Sequence, residues 1–237
     1  MRGRFTARVS AAGGRRVSTA DDAPRAALRE PVGHALDEVA LAVVPEEGSP
    51  VAVVGEDEVR TGALPWTDID GLHRLILDDI LPRFGLAHLD EAQRRHLNRV
   101  WHRLDAWPDS VPGLTRLKRR YTITTLSNGN IGLLTDMAKR AGLPWDCILS
   151  AEVFRAYKPD PAVYRGAAKV FDRQPEQVML VAAHHDDLAS ARACGLHTAY
   201  IERPLEFGAA HVKEVSPRPG NSLHAASLMA LADQLGC

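Results

Sequence analysis

The sequence predicts an α/β fold, a parallel sheet covered by helices with a helical lid set ahead of most of it. Three observations carry this prediction. After Gly113, short apolar runs alternate with segments of helical length, the signature of a parallel sheet covered on both faces. Two of those runs, Thr122–Leu126 and Val178–Ala182, each end in a burst of small polar or charged residues. A block of helical periodicity lies just before the alternation begins.

Taken in order, residues 1–35 are expected to be disordered, because the opening is rich in arginine, has no acid before Asp21 and shows no sustained periodicity. Its Arg15-Arg16 pair lacks the apolar region of a twin-arginine export signal. Val39–Val44 and Val51–Val54 are each short enough to be a strand or a buried segment. Asp68 to Arg83 reads as a helix with Leu72, Leu75, Ile76 and Ile80 on one face. Asp90 to Leu104 reads as a second, capped by Asp90, with Leu97, Val100, Trp101 and Leu104 inward. Trp107 to Gly113 is read as a linker. The alternating part then follows: helix Gly113–Arg120, strand Tyr121–Leu126, and a helix from Asn130 to Ala141 stopped by Gly142. Next come a short strand Cys147–Leu149, helix Pro161–Phe171, strand Val178–Ala182, helix Leu188–Cys194 and strand Thr198–Ile201. Ser222–Leu235 is read as a closing helix. This divides the chain into a core of 36–63 and 113–237 and a helical cap of 64–112.

Composition narrows the function classes. The chain has 237 residues, 45% of them hydrophobic and 25% charged, which suits a soluble globule. A net charge of -1 gives no electrostatic reason to bind nucleic acid or a membrane surface. No apolar run approaches the roughly 20 residues of a membrane-spanning helix. Cys147, Cys194 and Cys237 are odd in number and lack metal-type spacing, so a reducing, cytoplasmic setting is expected.

The chemistry gathers in three clusters. Ser127-Asn128-Gly129-Asn130 leaves a strand and enters a helix, a cradle of hydroxyl, amide and backbone N–H groups suited to an anion. Tyr157-Lys158-Pro159-Asp160-Pro161, with Tyr164, places a cation between two strand ends, where open α/β sheets bind ligands. His184-His185-Asp186-Asp187 follows the other strand. Each cluster alone reads equally as a helix cap, a solvated loop or surface histidines.

In this order they resemble the second, third and fourth motifs of the haloacid dehalogenase superfamily, in its type II, L-2-haloacid dehalogenase-like branch. The resemblance runs from about Leu64 to Phe207 and includes Leu64-Pro65-Trp66, Trp101-His102-Arg103-Leu104 and Gly142-Leu143-Pro144-Trp145-Asp146. It implies a Rossmann-like core under a helical cap. It also implies a hydrolase that removes halide from a small 2-haloacid through an ester on a carboxylate nucleophile. By the same resemblance, Lys158 and Asp187 are catalytic, Lys158 neutralising charge and Asp187 positioning Lys158 or the attacking water. Ser127 and Asn128 hold the substrate carboxylate, while Tyr164 and His184 line the pocket. The implied partner is a small anionic substrate, with a homodimer allowed; no cofactor and no metal are expected. Lys158→Ala is expected to cost activity while leaving the fold intact.

Two departures shape the expectation. The fourth motif has Ala182, Ala183 and His184 where the branch carries serine and asparagine. The first-strand Asp-x-x-Gly-Thr pattern does not occur before Leu64, and the nearest stand-in for its aspartate is Asp57. The chain as written is therefore expected to have little or no dehalogenase activity. The alternatives are a magnesium-dependent phosphatase of the same superfamily, with magnesium as its cofactor, and a non-catalytic member.

Overall fold

A computed structural model describes residues 55–237; the expectations for 1–35, Val39–Val44 and Val51–Val54 lie outside the described residues. Among these, three strands form a parallel sheet in the order β1 (Met179–Ala182), β2 (His197–Ile201) and β3 (Leu223–Ala225). Val181 pairs with Ala199 across β1 and β2, and Ile201 with Ala225 across β2 and β3. The helices are α1 (Glu56–Arg60), α2 (Ile69–Ile80), α3 (Glu91–Asn98), α4 (Ser110–Leu117), α5 (Ile131–Ala141), α6 (Pro161–Val170), α7 (His185–Ala193) and α8 (Leu228–Gln234).

Side-chain alternation along the strands splits the core into two layers. Leu180, Ala182 and Tyr200 face one way and pack with Tyr164 of α6 and with Leu188 and Ala191 of α7. Ala199, Ile201 and Ala225 face the other way and pack with Leu117 of α4 and Leu231 of α8. The sheet is thus covered on both faces, as its near-continuous apolar strands require. Gly113 lets α4 meet α8 closely, since a Cβ there would lie 2.5 Å from the Cβ of Leu228.

Several elements differ from what the sequence predicts. Ser222–Leu235 is not one helix: Leu223–Ala225 adds to β2 as a strand, and α8 starts only after Ser227, whose Oγ accepts from the Ala230 N–H at 3.0 Å. Pairing with β2 buries Ala225, which outweighs a helical preference that local sequence leaves open. The helix from Asp90 stops at Asn98 instead of Leu104, leaving Leu97 and Val100 exposed. Asp90 does cap it, accepting from the Gln93 N–H at 2.8 Å. After the break, a 3₁₀ turn at Trp101–Arg103 swings His102 into the interior. Leu75, expected inward on α2, is also exposed. Helix α4 begins inside the expected linker, and α7 begins at His185, ahead of Leu188.

Thr122–Leu126 and Cys147–Leu149 run side by side but pair only through isolated parallel bridges, Thr124 with Cys147 and Ser127 with Ser150. Among the described residues, β1 pairs only with β2.

The cap helices are tied to the core by one buried histidine. His102 Nε2 lies 3.0 Å from Asp70 of α2 and Nδ1 lies 2.8 Å from Asp136 of α5. Asn130 Nδ2 donates to the same Asp70 at 3.0 Å, joining the cap to the loop after Thr122–Leu126.

His73 on α2 gives the cap a pH dependence. It is 5% exposed, stacks near Trp101 with ring centres 5.2 Å apart, and its Nδ1 has no hydrogen-bond partner among the described residues. Burial, outweighing the attraction of Asp70, lowers its pKa to about 4 from 6.5. An imidazole kept neutral in the fold is protonated first in the unfolded chain. Stability is therefore expected to fall as pH drops from about 6.5 to about 4, by up to roughly 3 kcal/mol. Urea midpoints measured across that range should fall more steeply for the wild-type chain than for His73→Phe; parallel slopes would overturn the assignment.

Candidate active site

The site forms where three chain segments leave the sheet region. At the third motif, Asp160 caps α6, accepting from the Ala162 N–H at 2.8 Å, and Pro161 opens the helix. This fixes the turn that carries Lys158 and sets Tyr164 on the buried face of α6. The Tyr157 hydroxyl donates to the Thr67 carbonyl at 2.6 Å and its ring stacks on Trp66, anchoring the turn to the base of the cap. Burial raises the Tyr157 phenol well above its ordinary value, so it stays a neutral donor.

Lys158 Nζ donates to Asp187 Oδ2 at 2.7 Å, and the Tyr164 hydroxyl donates to Asp187 Oδ1 at 2.6 Å. The Lys158 and Asp187 side chains are each only 1% exposed. Such a pair loses hydration on both partners and keeps its place only when each charge is met by good hydrogen bonds, as here. The site thus holds a neutralised carboxylate with both oxygens engaged.

The second motif adjoins it. Asn128 Oδ1 accepts from the Lys158 N–H at 2.8 Å, and Asn128 Nδ2 donates to Glu56 Oε2 at 2.7 Å. Ser127 Oγ accepts from the Gly129 N–H at 3.1 Å, and the Ser150 hydroxyl donates to the Gly129 carbonyl at 2.7 Å, shaping the loop that enters α5. Lys158, Asp187, Tyr164 and Asn128 are therefore brought together by direct hydrogen bonds, with Ser127 beside Asn128.

Two further residues that the sequence nominates are held by other partners. Asp57 points to solvent, its side chain 81% exposed and paired with Arg60 at 2.7 Å, while its neighbour Glu56 reaches Asn128. His184, on the loop between β1 and α7, has Nε2 2.7 Å from Glu206 Oε1. Lys213 bonds the other Glu206 oxygen and donates to the Ala183 carbonyl at 2.8 Å. Glu56, Glu206 and Lys213 are not singled out by sequence. Glu56 differs from Asp57 only in which way a helix start turns it, and Glu206 and Lys213 lie in a long connection with no motif. Among the described residues, no group of three or more His, Cys, Asp or Glu is gathered as for a metal ion.

A parallel sheet thus carries a buried lysine–carboxylate pair at its strand ends. The chain belongs to the haloacid dehalogenase-like hydrolase family, whose sequence model matches residues 13–195. That match begins well ahead of Leu64, correcting the later start read from the motifs. A crystal structure of an L-2-haloacid dehalogenase superposes with a TM-score of 0.74 at 47% identity, covering 76% of this chain and 77% of that one. That of a defluorinating L-2-haloacid dehalogenase gives 0.73 at 44%, over 76% and 75%. The (S)-2-haloacid dehalogenase 1 of Pseudomonas sp. (strain CBS-3) is 35% identical over 137 residues, 55% of this chain and 60% of that relative. The chain thus spans about 60% of the length of this curated relative. No helix among the described residues is long and apolar enough to cross a membrane.

Proposed function

We propose that this chain hydrolyses the carbon–halogen bond of a small 2-haloacid without a metal, through an ester on Glu56. The observation that carries the reading is the hydrogen-bonded chain from Glu56 through Asn128 to Lys158, and from Lys158 to Asp187 and Tyr164. It holds the Glu56 carboxylate on the Asn128 amide, which in turn accepts from the Lys158 backbone N–H, next to the turn that carries the buried cation, where charge on a nucleophile and on a departing halide can be stabilised. The Glu56 carboxylate attacks C2 and halide leaves with the bonding pair. Water then cleaves the ester, giving a 2-hydroxyacid and the free carboxylate. Ser127 and the N–H groups entering α5 receive the substrate carboxylate. Cys147, Cys194 and Cys237 are free thiols, which fits a reducing cytoplasm.

Independence from metal is motivated by Ala182 and Ala183, which put no ligand side chain at the end of β1. Chloride release from (S)-2-chloropropionate is expected and should be unchanged by EDTA. Magnesium-dependent release of phosphate from an aryl phosphate, without chloride release, would replace this reading with a phosphatase.

A further inference from the structure

Helix α5 starts without the side-chain cap that its sequence offers. Asn130 stands at the N-cap position, where an asparagine ordinarily accepts from the second or third helical N–H through Oδ1. Here it makes no such bond, and Oδ1 is buried without a partner among the described residues. Asn130 is 7% exposed, and an acceptor left unpaired at such depth is uncommon enough to need a cause.

The cause lies at the other end of the amide. Asn130 Nδ2 donates at 3.0 Å to Oδ2 of Asp70, in the first turn of α2 and so on the helical cap. Asp70 is itself held in place. His102 Nε2 lies 3.0 Å from each of its oxygens while Nδ1 lies 2.8 Å from Asp136, and Asn98 Nδ2 donates to the Asp70 carbonyl at 2.9 Å. An ionised carboxylate only accepts, so the amide must turn its nitrogen to Asp70. Nδ2 also lies 3.6 Å from where a Cβ on Gly132 would stand, which places the side chain over the first turn of α5. Freed from Asp70, a rotation about Cβ–Cγ would bring Oδ1 toward the N–H groups of that turn.

Those N–H groups matter to the substrate. That of Ile131 donates to Glu152 Oε2 at 2.7 Å, while those of Gly132 and Leu133 are the ones a capping Asn130 would engage. Ile131 and Gly132 are exposed, so a small solute can reach this helix start. A capping Asn130 would compete there with the substrate carboxylate.

We propose that Asp70 is a positioning residue, which keeps the carboxylate cradle open by holding Asn130 off the N-terminus of α5. The proposal rests on the dehalogenase reading above and deepens it, by naming a residue of the helical cap that acts on substrate binding without touching substrate.

Propionate, which carries the carboxylate and no leaving group, serves as the binding probe. Backbone hydrogen exchange read by NMR follows Gly132 and Leu133, and calorimetric titration gives the propionate affinity. In the wild type both amides should exchange freely without ligand and slow when propionate is added. In Asp70→Ala they should be slow without ligand. Propionate affinity and the KM for (S)-2-chloropropionate should each worsen about fivefold, the strength of one asparagine cap, with kcat changed less than about twofold. With the competitor also removed, Asp70→Ala/Asn130→Ala should bind propionate more tightly than Asp70→Ala, a recovery that a merely structural loss would not give. Tighter binding by Asp70→Ala alone, the result if Asp70 only set a negative charge beside the cradle, overturns the proposal. Slow exchange at Gly132 and Leu133 in the free wild type also overturns it, and this measurement carries the test if Asp70→Ala does not fold. Wild-type protein that shows the expected exchange pattern but releases no chloride sinks the dehalogenase reading and keeps the proposal. Chloride release with amides that propionate does not slow does the reverse.

Discussion

Lys158→Ala is expected to lower chloride release about a hundredfold or more, the effect of removing a preorganised charge from a water-excluded site. The structure adds a cost in stability, where the sequence alone predicts an intact fold. Removing the ammonium strands the Asp187 carboxylate at 1% exposure, and breaking a buried pair on one side costs about 3–5 kcal/mol. The variant should therefore melt well below wild type as well as react slowly. Lys158→Met combined with Asp187→Asn removes both charges and should recover much of the stability while turnover stays low. If this pair restores turnover along with stability, Lys158 is a structural cation and its catalytic role fails.

Glu56→Gln is expected to abolish both chloride release and covalent adduct, since an amide of the same shape can still meet Asn128 but cannot displace halide. Asp57→Asn should leave the rate within about twofold, because that side chain is 81% exposed and paired only with Arg60 among the described residues. The two measurements, made on folded protein with equal substrate, assign the nucleophile directly. Release abolished by Asp57→Asn and retained by Glu56→Gln would reverse the assignment. Little or no release by the wild-type chain, the outcome expected from the missing Asp-x-x-Gly-Thr pattern, would show that Glu56 does not replace it.

Much of the helical frame was legible because its determinants are local. Gly142 stops α5 in the left-handed region at φ 68°, Asp90 caps α3, and Pro161 opens α6, each through backbone chemistry that a few neighbouring residues specify. The apolar strands Val178–Ala182 and Thr198–Ile201 were legible too, because burial on both faces leaves unbroken hydrophobic runs. The order of the Ser127-Asn128, Lys158 and Asp187 clusters was enough to indicate the family.

Other features depended on partners distant in sequence. Leu223–Ala225 became a strand only because β2 offered an edge to pair with. The outward turn of Leu97 and Val100 followed from the break that buries His102 between Asp70 and Asp136, more than thirty residues apart from it in each direction. The sequence by itself determined which residues could do chemistry: a lysine, a carboxylate, a hydroxyl and a histidine at strand ends. Only the tertiary structure decided how they are used. It engages both oxygens of Asp187, turns Glu56 toward Asn128 and Asp57 toward water, and brings Glu206 from the connection after β2 to His184. Those pairings are set by the packing of whole elements, and no local pattern encodes the distance between side chains that meet only after folding.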